Sequence, residues 1–377
     1  MKIHQPVILD AVRTPVGKNG GMLKDIRPDD LSGVTLKALL ERTGMDAAEV
    51  EDVILGCVTQ KGEQGGNIGR LAPLISGFPV TTAGASVNRM CASGLQAIVT
   101  AAQQVATDMA DVVIGGGVES MTREAMGTDM GAINPKLLSN HEIVWQGESA
   151  ERIADKWEIS REDLDQFSLG SHEKAATAQD ECHFSKEIVP VEVDGQTFEQ
   201  DEGVRRGSTM EKMGSLTPAF RPDGRITAGN SSQISDGAAA VLIASENKAN
   251  ELGIKPRAKI RSWAVAGVDP TIMLTGPIPS TQKALKKAGL TMDDIDLVEI
   301  NEAFASVVLA WGKELKPDWE KVNVNGGAIA LGHPLGATGA RLTATLLHEM
   351  ERRDVALGLI TICIGFGQGL AAIIERV

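Results

Sequence analysis

The stretch Val87-Asn88-Arg89-Met90-Cys91-Ala92-Ser93-Gly94 places a single cysteine where a strand-like run meets a helix. Residues 95–105, which follow, are small and apolar on almost every side, and this pattern is typical of a helix that is buried all round. Cys91 is therefore expected in the first turn of that helix, where unpaired backbone N–H groups and the helix dipole would lower the pKa of its thiol. An inert core cysteine explains the stretch equally well, so the rest of the chain must discriminate.

The composition describes an acidic chain that is long enough for two domains. It has 377 residues, of which 42% are hydrophobic and 23% charged, and its formal net charge is −13. Glycine occurs 41 times, against 7 Phe, 5 Trp and no Tyr, which favours close backbone packing over an aromatic core. The negative charge makes nucleic acid a poor partner.

The chain shows no pattern of a membrane span or a signal peptide, so we expect a cytoplasmic protein that does not bind a membrane. No apolar run approaches the roughly 20 residues that span a bilayer, and residues 1–6 lack the basic and then apolar layout of a signal peptide. The cysteines lie far apart, without a Cys-x-x-Cys pair, at Cys57, Cys91, Cys182 and Cys363. This spacing argues against a disulfide framework and against a zinc site, so no metal is expected.

An internal repeat divides the chain into two similar halves. The first half has a predicted helix over 31–42, which ends at Gly44, and then a predicted strand over 50–56. The second half has the same arrangement, with Gly289 followed by a predicted strand over 295–300. The cysteine stretch, its small-residue helix and the strand after it recur less regularly in the second half.

Each half alternates helix and strand, which predicts an α/β fold with a mixed sheet covered by helices in each half. The two central helices, 95–105 and 339–350, are built largely from small residues and Leu. We therefore expect the halves to pack into a five-layer core of the α-β-α-β-α type, in which sheets and helices alternate.

The segment from Glu119 to Ile234 has no counterpart in the repeat. It contains three of the six histidines and charged helical runs such as 161–177. A large surface insertion and a lid over a ligand both remain possible. The chain then returns to the core through the Gly, Ser and Asn-rich residues 227–237, and 238–244 is either a strand or a buried helix.

Three motifs at predicted strand ends carry polar or reactive side chains. They are Asn301-Glu302-Ala303-Phe304-Ala305, the glycine-rich loop 325–339 with His333, and Cys363-Ile364-Gly365-Phe366-Gly367-Gln368-Gly369. Taken singly, Asn301 could cap a helix, His333 could be a hydrogen-bonded core histidine, and Cys363 could fill space between strand and turn. The loop lacks the Gly-Lys-Ser/Thr ending of a P-loop and the spacing of a dinucleotide-binding loop, so a phosphate cradle is disfavoured.

Together with the Cys91 stretch, these motifs closely resemble those of the thiolase family, and the resemblance extends from residues 11–15 to the final strand. Thiolases are acyltransferases that exchange acyl groups between coenzyme A thioesters. The resemblance implies the two-domain thiolase fold, with an N-terminal domain over 1–118 and 235–256, a C-terminal domain over 257–377, and a CoA-covering loop domain over 119–234. It also implies a homodimer or homotetramer that uses CoA and acyl-CoA as substrates and holds no permanently bound cofactor.

The resemblance assigns roles to five residues. Cys91 would attack the ketone of a 3-oxoacyl-CoA and carry the acyl group, His333 would take the thiol proton, and Cys363 would act as acid and base. His333 with a water held by Asn301 would stabilise the enolate, and the N–H groups of Cys91 and Gly365 would stabilise the tetrahedral intermediate, which would explain glycine at 365. The family often has glycine where Phe366 stands, so the chain departs from the pattern at this turn.

The resemblance also suggests residues that bind coenzyme A. Ser232 matches a position that contacts pantetheine, Arg205 matches one near the nucleotide end, and Phe304 belongs to the motif beside them. An acidic protein needs such local positive sites to hold an anionic ligand, although a solvated surface arginine is the alternative for Arg205.

Three other functions compete with thiolytic cleavage. A ketoacyl synthase also uses a nucleophilic cysteine, but it lacks the second cysteine that Cys363 provides. A non-catalytic acyl-CoA-binding protein would not need all the reactive residues that this chain has.

A biosynthetic acetoacetyl-CoA thiolase is the nearest alternative. Such enzymes tend to carry His-Met where Trp145-Gln146 stand, and here the stretch 120–144 is also shorter, whereas 229–233 resembles the degradative thiolases of fatty acid β-oxidation. We therefore favour a degradative 3-ketoacyl-CoA thiolase with room for a longer or bulkier acyl chain, unless Trp145 fills that space. The sequence leaves open the acyl group, the physiological direction, the choice between dimer and tetramer, and any partner enzyme in a β-oxidation complex.

Overall fold

The computed structural model describes residues 3–377. Met1 and Lys2, part of the N-terminal stretch that argued against a signal peptide, lie outside the described residues. The strands are β1 Pro6–Arg13, β2 Gly17–Lys18, β3 Asp52–Gly56, β4 Ala83–Val87, β5 Val112–Ser120, β6 Val191–Val193, β7 Gln196–Phe198, β8 Ser235–Ser245, β9 Ala258–Gly267, β10 Leu297–Ile300, β11 Leu357–Ile364 and β12 Gln368–Arg376. The helices are α1 Pro28–Thr43, α2 Ile68–Ile75, α3 Ser93–Ala106, α4 Pro135–Asn140, α5 Gln146–Lys156, α6 Arg161–Asp180, α7 Met210–Gly214, α8 Glu246–Glu251, α9 Pro277–Ala288, α10 Ala305–Leu315, α11 Ala328–Leu331 and α12 Thr338–Arg353.

The predicted repeat is confirmed by the strand order. The first half runs β1-β8-β5-β3-β4 and the second runs β9-β12-β11-β10. In each half one strand pairs in parallel with one neighbour and antiparallel with the other, as β5 does with β3 and β8, and β11 does with β10 and β12. Gly44 and Gly289 end the equivalent helices α1 and α9 in the left-handed region, with φ of 67° and 71°, which a glycine adopts without strain.

The two half-sheets are not separate. Strands β1 and β9 pair antiparallel where Val7 faces Lys259 and Ile8 faces Ala258, so one ten-stranded sheet runs through both halves. This contact covers what would otherwise be an open edge of each half-sheet.

The layers alternate as predicted, with helices on the outside and in the middle. Helices α3 and α12 lie between the halves, in a core cluster that joins Ile54 and Val113 of the first half to Ile360 and Ile362 of the second. Helices α1 and α2 cover the outer face of the first half, and α9 covers that of the second. The middle helices approach closely because a Cβ on Gly339 would lie 2.1 Å from the Leu95 nitrogen.

The segment between β5 and β8 forms helices α4 to α7 and the hairpin of β6 and β7 outside the main sheet. It returns through β8, which resolves the ambiguity over 238–244 as a fully buried strand between β5 and β1. Helices α5 and α6 pack against α10 of the second half. No helix within residues 3–377 has the length and apolar character needed to cross a bilayer.

Candidate active site

Cys91 lies in a tight turn between β4 and α3. The helix begins at Ser93 with Ala92 as its N-cap, so the prediction that Cys91 lies within the first turn is wrong by two residues. Met90 adopts a left-handed φ of 47°, and the Ser93 hydroxyl donates to the Met90 carbonyl at 2.6 Å while accepting from the Arg89 N–H at 2.9 Å. These bonds fix the backbone that presents the cysteine.

Burial is the largest influence on the pKa of the Cys91 thiol in the free protein. Burial raises the pKa of Cys91 to about 11, although the N–H groups of Gly365 and of Cys91 itself donate to the sulfur and oppose the rise. The predicted lowering by the helix terminus is therefore wrong for the free protein, because desolvation of the thiolate outweighs the nearby donors.

His333 follows α11 and presents one nitrogen to the site. Its Nδ1 lies 2.7 Å from the Thr338 hydroxyl, which donates its own hydrogen to the Pro334 carbonyl at 2.8 Å. Nδ1 must therefore carry the imidazole hydrogen, and Nε2 is left as the acceptor. Burial, together with the charge of Arg341, lowers the pKa of His333 to about 3, so the imidazole is neutral at rest.

Asn301 and Cys363 complete the cluster. Asn301 follows β10, and its Nδ2 lies 3.4 Å from His333 Nε2. The same side chain donates to the sulfur of Cys363, which is fully buried near the end of β11. Burial, and then the neighbouring Cys91, raise the pKa of the Cys363 thiol. The structure thus brings together Cys91, His333, Cys363, Asn301 and Gly365 in one buried cluster.

The turn after β11 does not show the need for glycine at position 365 that the sequence analysis expected. A Cβ on Gly365 would meet only Gln146 Nε2 at 3.6 Å and Met90 Cγ at 3.9 Å, which are ordinary contacts, so the free protein does not require glycine there. The strain lies one residue later, because Phe366 adopts a φ of 61° in the region that favours glycine. Its N–H donates to Met273 Sδ at 3.3 Å.

Glu119 is a structural partner of the site that the sequence analysis missed. This fully buried carboxylate of β5 accepts the N–H groups of Val58 at 2.9 Å, Thr59 at 3.0 Å and Gly336 at 2.8 Å. It thereby ties the loop after β3 to the loop that carries His333. A lone acidic residue in an otherwise apolar strand was the signal available in the sequence.

Glu302 plays a similar part on the other side of Asn301. Its carboxylate accepts from the Ser171 hydroxyl at 2.7 Å, the Asn323 amide at 2.8 Å and the Ile329 N–H at 3.1 Å. These bonds join α6 of the inserted segment to α11 and to the loop before α11. The motif beginning at Asn301 was recognised in the sequence, but no role was given to this residue.

The residues suggested for CoA fall in two places. Ser232 donates its N–H to the Ala303 carbonyl at 2.9 Å, which brings it beside Phe304, and Phe304 packs edge to face on Phe220 at 6.0 Å. Arg205 is exposed, and its backbone N–H donates to His172 Nδ1 at 3.2 Å. Its guanidinium forms no ion pair with any residue in 3–377, and no hydrogen bond joins it to Ser232 or Phe304.

Comparison with known proteins decides the family. The model for the thiolase N-terminal domain matches residues 6–247, and the model for the thiolase C-terminal domain matches residues 254–376. The chain belongs to the thiolase family. Thiolases are acyltransferases, so this chain is an enzyme of that class.

Relatives and solved structures of thiolases resemble this chain over its whole length. The chain is 48% identical to the steroid 3-ketoacyl-CoA thiolase of Mycobacterium tuberculosis, over 98% of this chain and 93% of that protein. It is 46% identical to the 3-ketoacyl-CoA thiolase of Bacillus subtilis, over 99% and 100%. The crystal structure of the Bacillus anthracis acetyl-CoA acetyltransferase superimposes with a TM-score of 0.92 at 41% identity, covering 100% of both chains.

Proposed function

We propose that this thiolase cleaves 3-oxoacyl-CoA with CoA to give acetyl-CoA and a shortened acyl-CoA, through an acyl group on Cys91. The observation that carries the proposal is the placement of two buried thiols, Cys91 and Cys363, in one cluster with His333 and Asn301. Two thiols suit a reaction that needs both a nucleophile and a separate acid on carbon. Relatives named 3-ketoacyl-CoA thiolase support the same choice.

In the first half-reaction, Cys91 sulfur attacks the C3 ketone while its proton passes to His333 Nε2. The tetrahedral intermediate then collapses, the bond between C2 and C3 breaks, and its electron pair becomes the enolate of acetyl-CoA. Cys363 gives its proton to C2, which leaves acetyl-CoA, a Cys363 thiolate and an acyl thioester on Cys91. A resting neutral His333 suits the first step because Nε2 is free to accept the proton.

In the second half-reaction, the thiol of a new CoA loses its proton to the Cys363 thiolate and attacks the acyl carbon. Cys91 then leaves as the thiolate and recovers its proton from His333. Each catalytic group returns to its starting form. In the reverse direction Cys363 removes a proton from acetyl-CoA, so the same residues support Claisen condensation.

Two oxyanions form at different carbons, and the site offers two sets of donors. The N–H groups of Cys91 and Gly365 both point at the Cys91 sulfur in the free protein, where they would meet the oxygen of the tetrahedral intermediate. Once His333 holds the Cys91 proton, its Nε2–H becomes a donor for the enolate oxygen, with a water held by Asn301 as the second.

The binding of CoA is proposed to involve Ser232, Phe304 and Arg205. The first two residues lie next to each other beside the Asn301 motif, and Arg205 offers a cation without an ion-pair partner in the described chain. We also propose domain boundaries after residues 118, 234 and 256, and assembly as a homodimer or homotetramer. The enzyme is proposed to hold no permanently bound cofactor and to act in β-oxidation in the cytoplasm.

The experiment that tests this function is thiolysis of a panel of 3-oxoacyl-CoA thioesters with free CoA, followed by chromatographic identification of both products. We expect acetyl-CoA and an acyl-CoA two carbons shorter in equal amounts. Release of carbon dioxide from malonyl-CoA, with condensation instead of thiolysis, would favour a ketoacyl synthase. Binding of acyl-CoA without product or an acyl-enzyme would indicate a non-catalytic protein.

A further inference from the structure

Glu119 joins loops from both halves of the chain through a single carboxylate oxygen. Its Oε2 accepts the Val58 N–H at 2.9 Å and the Gly336 N–H at 2.8 Å. Its Oε1 accepts the Thr59 N–H and the Gln64 side-chain amide, both at 3.0 Å. Each oxygen therefore accepts two donors, and an amide could not reproduce this set of four bonds.

The Gly336 end of this link lies in the turn that orients His333. The Pro334 carbonyl accepts the N–H of Thr338 at 2.9 Å and its hydroxyl at 2.8 Å. The same hydroxyl accepts from His333 Nδ1 at 2.7 Å. Because Gly336 lies inside this turn, its bond to Glu119 fixes the turn that carries the imidazole.

Close backbone packing ties the same turn to the segment that follows the nucleophile. A Cβ on Gly336 would lie 2.6 Å from the Gly56 carbonyl oxygen, and a Cβ on Gly94 would lie 2.7 Å from the Gly336 carbonyl oxygen. Gly94 belongs to the first turn of α3, three residues after Cys91. The His333 turn therefore rests directly on the end of β3 and on the start of α3.

The Val58 end of the link leads to Cys91. The Val58 carbonyl accepts from Asn88 Nδ2 at 2.9 Å, and Asn88 Oδ1 accepts the Met90 N–H at 2.8 Å. Met90 directly precedes Cys91 and has a φ of 47°, which a residue other than glycine holds only where its surroundings impose it. The bonds that start at Glu119 therefore help to impose the conformation that presents the thiol.

We propose that Glu119 is a positioning residue that holds the turn of Cys91 and the turn of His333 at the separation that proton transfer needs. It acts on the first turn through the loop after β3 and on the second through the loop before α12. Proton transfer depends steeply on geometry, and a displacement of about 1 Å can cost about 10²-fold in rate. The inference rests on the proposed function for the identity of the nucleophile and the base.

The experiment measures the rate at which acetyl-CoA acetylates Cys91, by intact-protein mass spectrometry at increasing acetyl-CoA concentrations. In Glu119→Gln an NH₂ group replaces one oxygen, and in either orientation it faces a backbone N–H of residues 58–59 that it cannot accept. We expect the maximal rate to fall about 10- to 100-fold. A maximal rate within about twofold of the wild type would overturn the proposal.

The half-saturating concentration of acetyl-CoA should change by less than about twofold in Glu119→Gln. The four bonds of the carboxylate go to residues 58, 59, 64 and 336, and none of these is among the residues proposed to bind CoA. A variant that regained the wild-type maximal rate at high acetyl-CoA would show that Glu119 serves binding, and the positioning role would be rejected.

Glu187→Gln is the matched control. Glu187 is 1% exposed and bonds to Arg13 Nε at 2.5 Å and to the Thr345 hydroxyl at 3.0 Å, so the substitution also removes a buried carboxylate. Neither partner belongs to the two catalytic turns, and the acetylation rate should stay within about twofold of the wild type. An equal loss in both variants would mean that any weakening of the core lowers the rate, which would overturn the proposal.

A double-mutant cycle with Asn88 separates positioning from a general structural role. Asn88→Ala removes the bond to Val58 in a partly exposed turn, so it tests the link even if Glu119→Gln does not fold. Alone it should lower the acetylation rate about tenfold, but in the Glu119→Gln background less than about threefold, because the same chain of bonds is already broken. Losses that multiply, or a wild-type rate in Asn88→Ala, would contradict the proposal.

Amide hydrogen exchange over residues 88–93 tests the link without turnover. We expect faster exchange in Glu119→Gln and in Asn88→Ala, and wild-type exchange in Glu187→Gln. Faster exchange in a protein whose wild type neither acetylates nor performs thiolysis would keep the link and reject the proposed function. Thiolysis by the wild type, with exchange and acetylation unchanged in Glu119→Gln, would keep the function and reject the inference.

Discussion

Asn301 Nδ2 lies 3.4 Å from His333 Nε2, while Oδ1 of the same amide is buried without a hydrogen-bond partner in the described part of the chain. Thr338 occupies the other imidazole nitrogen, so Nε2 is the nitrogen left to accept a proton. The Asn301 amide therefore contacts the His333 nitrogen that exchanges a proton in the proposed reaction. The same amide also donates to the sulfur of Cys363.

Asn301→Ala should separate the two oxyanion sites. We expect thiolysis and condensation to fall about 10²- to 10³-fold, because the enolate loses a donor, while acetylation of Cys91 by acetyl-CoA falls by less than about tenfold. Steady-state kcat for both directions and the intact-protein mass after acetyl-CoA measure the two effects. An equal loss in acetylation would mean that Asn301 serves the first step through His333 instead.

Cys363→Ala should leave Cys91 able to accept an acyl group but remove the acid and base for the carbon step. We expect an acetyl adduct on the variant and a severe loss of both thiolysis and condensation. The same intact-mass and steady-state assays apply. Near wild-type thiolysis would make Cys363 structural and would strengthen the ketoacyl synthase alternative.

Substrate size should depend on Gln146 and not on Trp145. Trp145 is 83% exposed, so it does not fill the space left by the methionine of acetoacetyl-CoA enzymes, whereas Gln146 Nε2 lies 3.6 Å from the Cβ position at Gly365. Each buried CH₂ of a longer acyl chain contributes about 0.8 kcal/mol, so a wider pocket shifts preference strongly. We expect kcat/KM for a medium-length, branched or cyclic 3-oxoacyl-CoA to exceed that for acetoacetyl-CoA.

Gln146→Met should lower that ratio of kcat/KM values, and Trp145→Ala is the matched control that should leave it within about twofold. A wild-type ratio well below one would reject the preference for larger acyl groups. A ratio that changed only in Trp145→Ala would show that Trp145, and not Gln146, limits the size of the acyl pocket.

His348 should make the fold sensitive to acid. It is 6% exposed, its Nε2 donates to the Ala11 carbonyl at 3.0 Å, and its Nδ1 faces Arg257 Nη2 at 3.2 Å. Burial, and then the charge of Arg257, lower its pKa from 6.5 to about 3. Below about pH 6.5, His348 is therefore protonated in the unfolded chain but not in the folded protein. The free energy of unfolding then falls by up to about 1.4 kcal/mol for each pH unit of acidification.

Between pH 7 and pH 5, His348→Gln should lose about 2 kcal/mol less unfolding free energy than the wild type. Urea unfolding at several pH values measures the difference, with the exposed His141→Gln as control. Parallel stability curves for His348→Gln and the wild type would show that the fold does not lower the pKa of His348.

Local rules account for the parts of the fold that the sequence predicted. Gly44 and Gly289 mark helix ends because a left-handed C-cap favours glycine, and residues 297–300, which are apolar except for Glu299, form a short strand. The pairing of β1 with β9 was not predicted, because two edge strands far apart in sequence carry no local signal for each other.

The candidate site was predicted as a set of residues but not as an electrostatic environment. The order of motifs identified Cys91, His333 and Cys363, whereas their pKa directions follow from burial that only the packed layers create. Glu119 was missed because its partners are backbone N–H groups of loops from both halves, and those loops meet only in the folded chain.

The measurement that tests the account most directly is the site of acylation after acetyl-CoA is mixed with the protein. Intact and peptide mass spectrometry should show one acetyl group on Cys91 in the wild type and none in Cys91→Ser, because a serine hydroxyl at this buried position forms no comparable anion. Cys57, whose pKa is raised by burial, and the exposed Cys182 should remain unmodified. An acetyl group on Cys57 or Cys182, or its persistence in Cys91→Ser, would contradict the account.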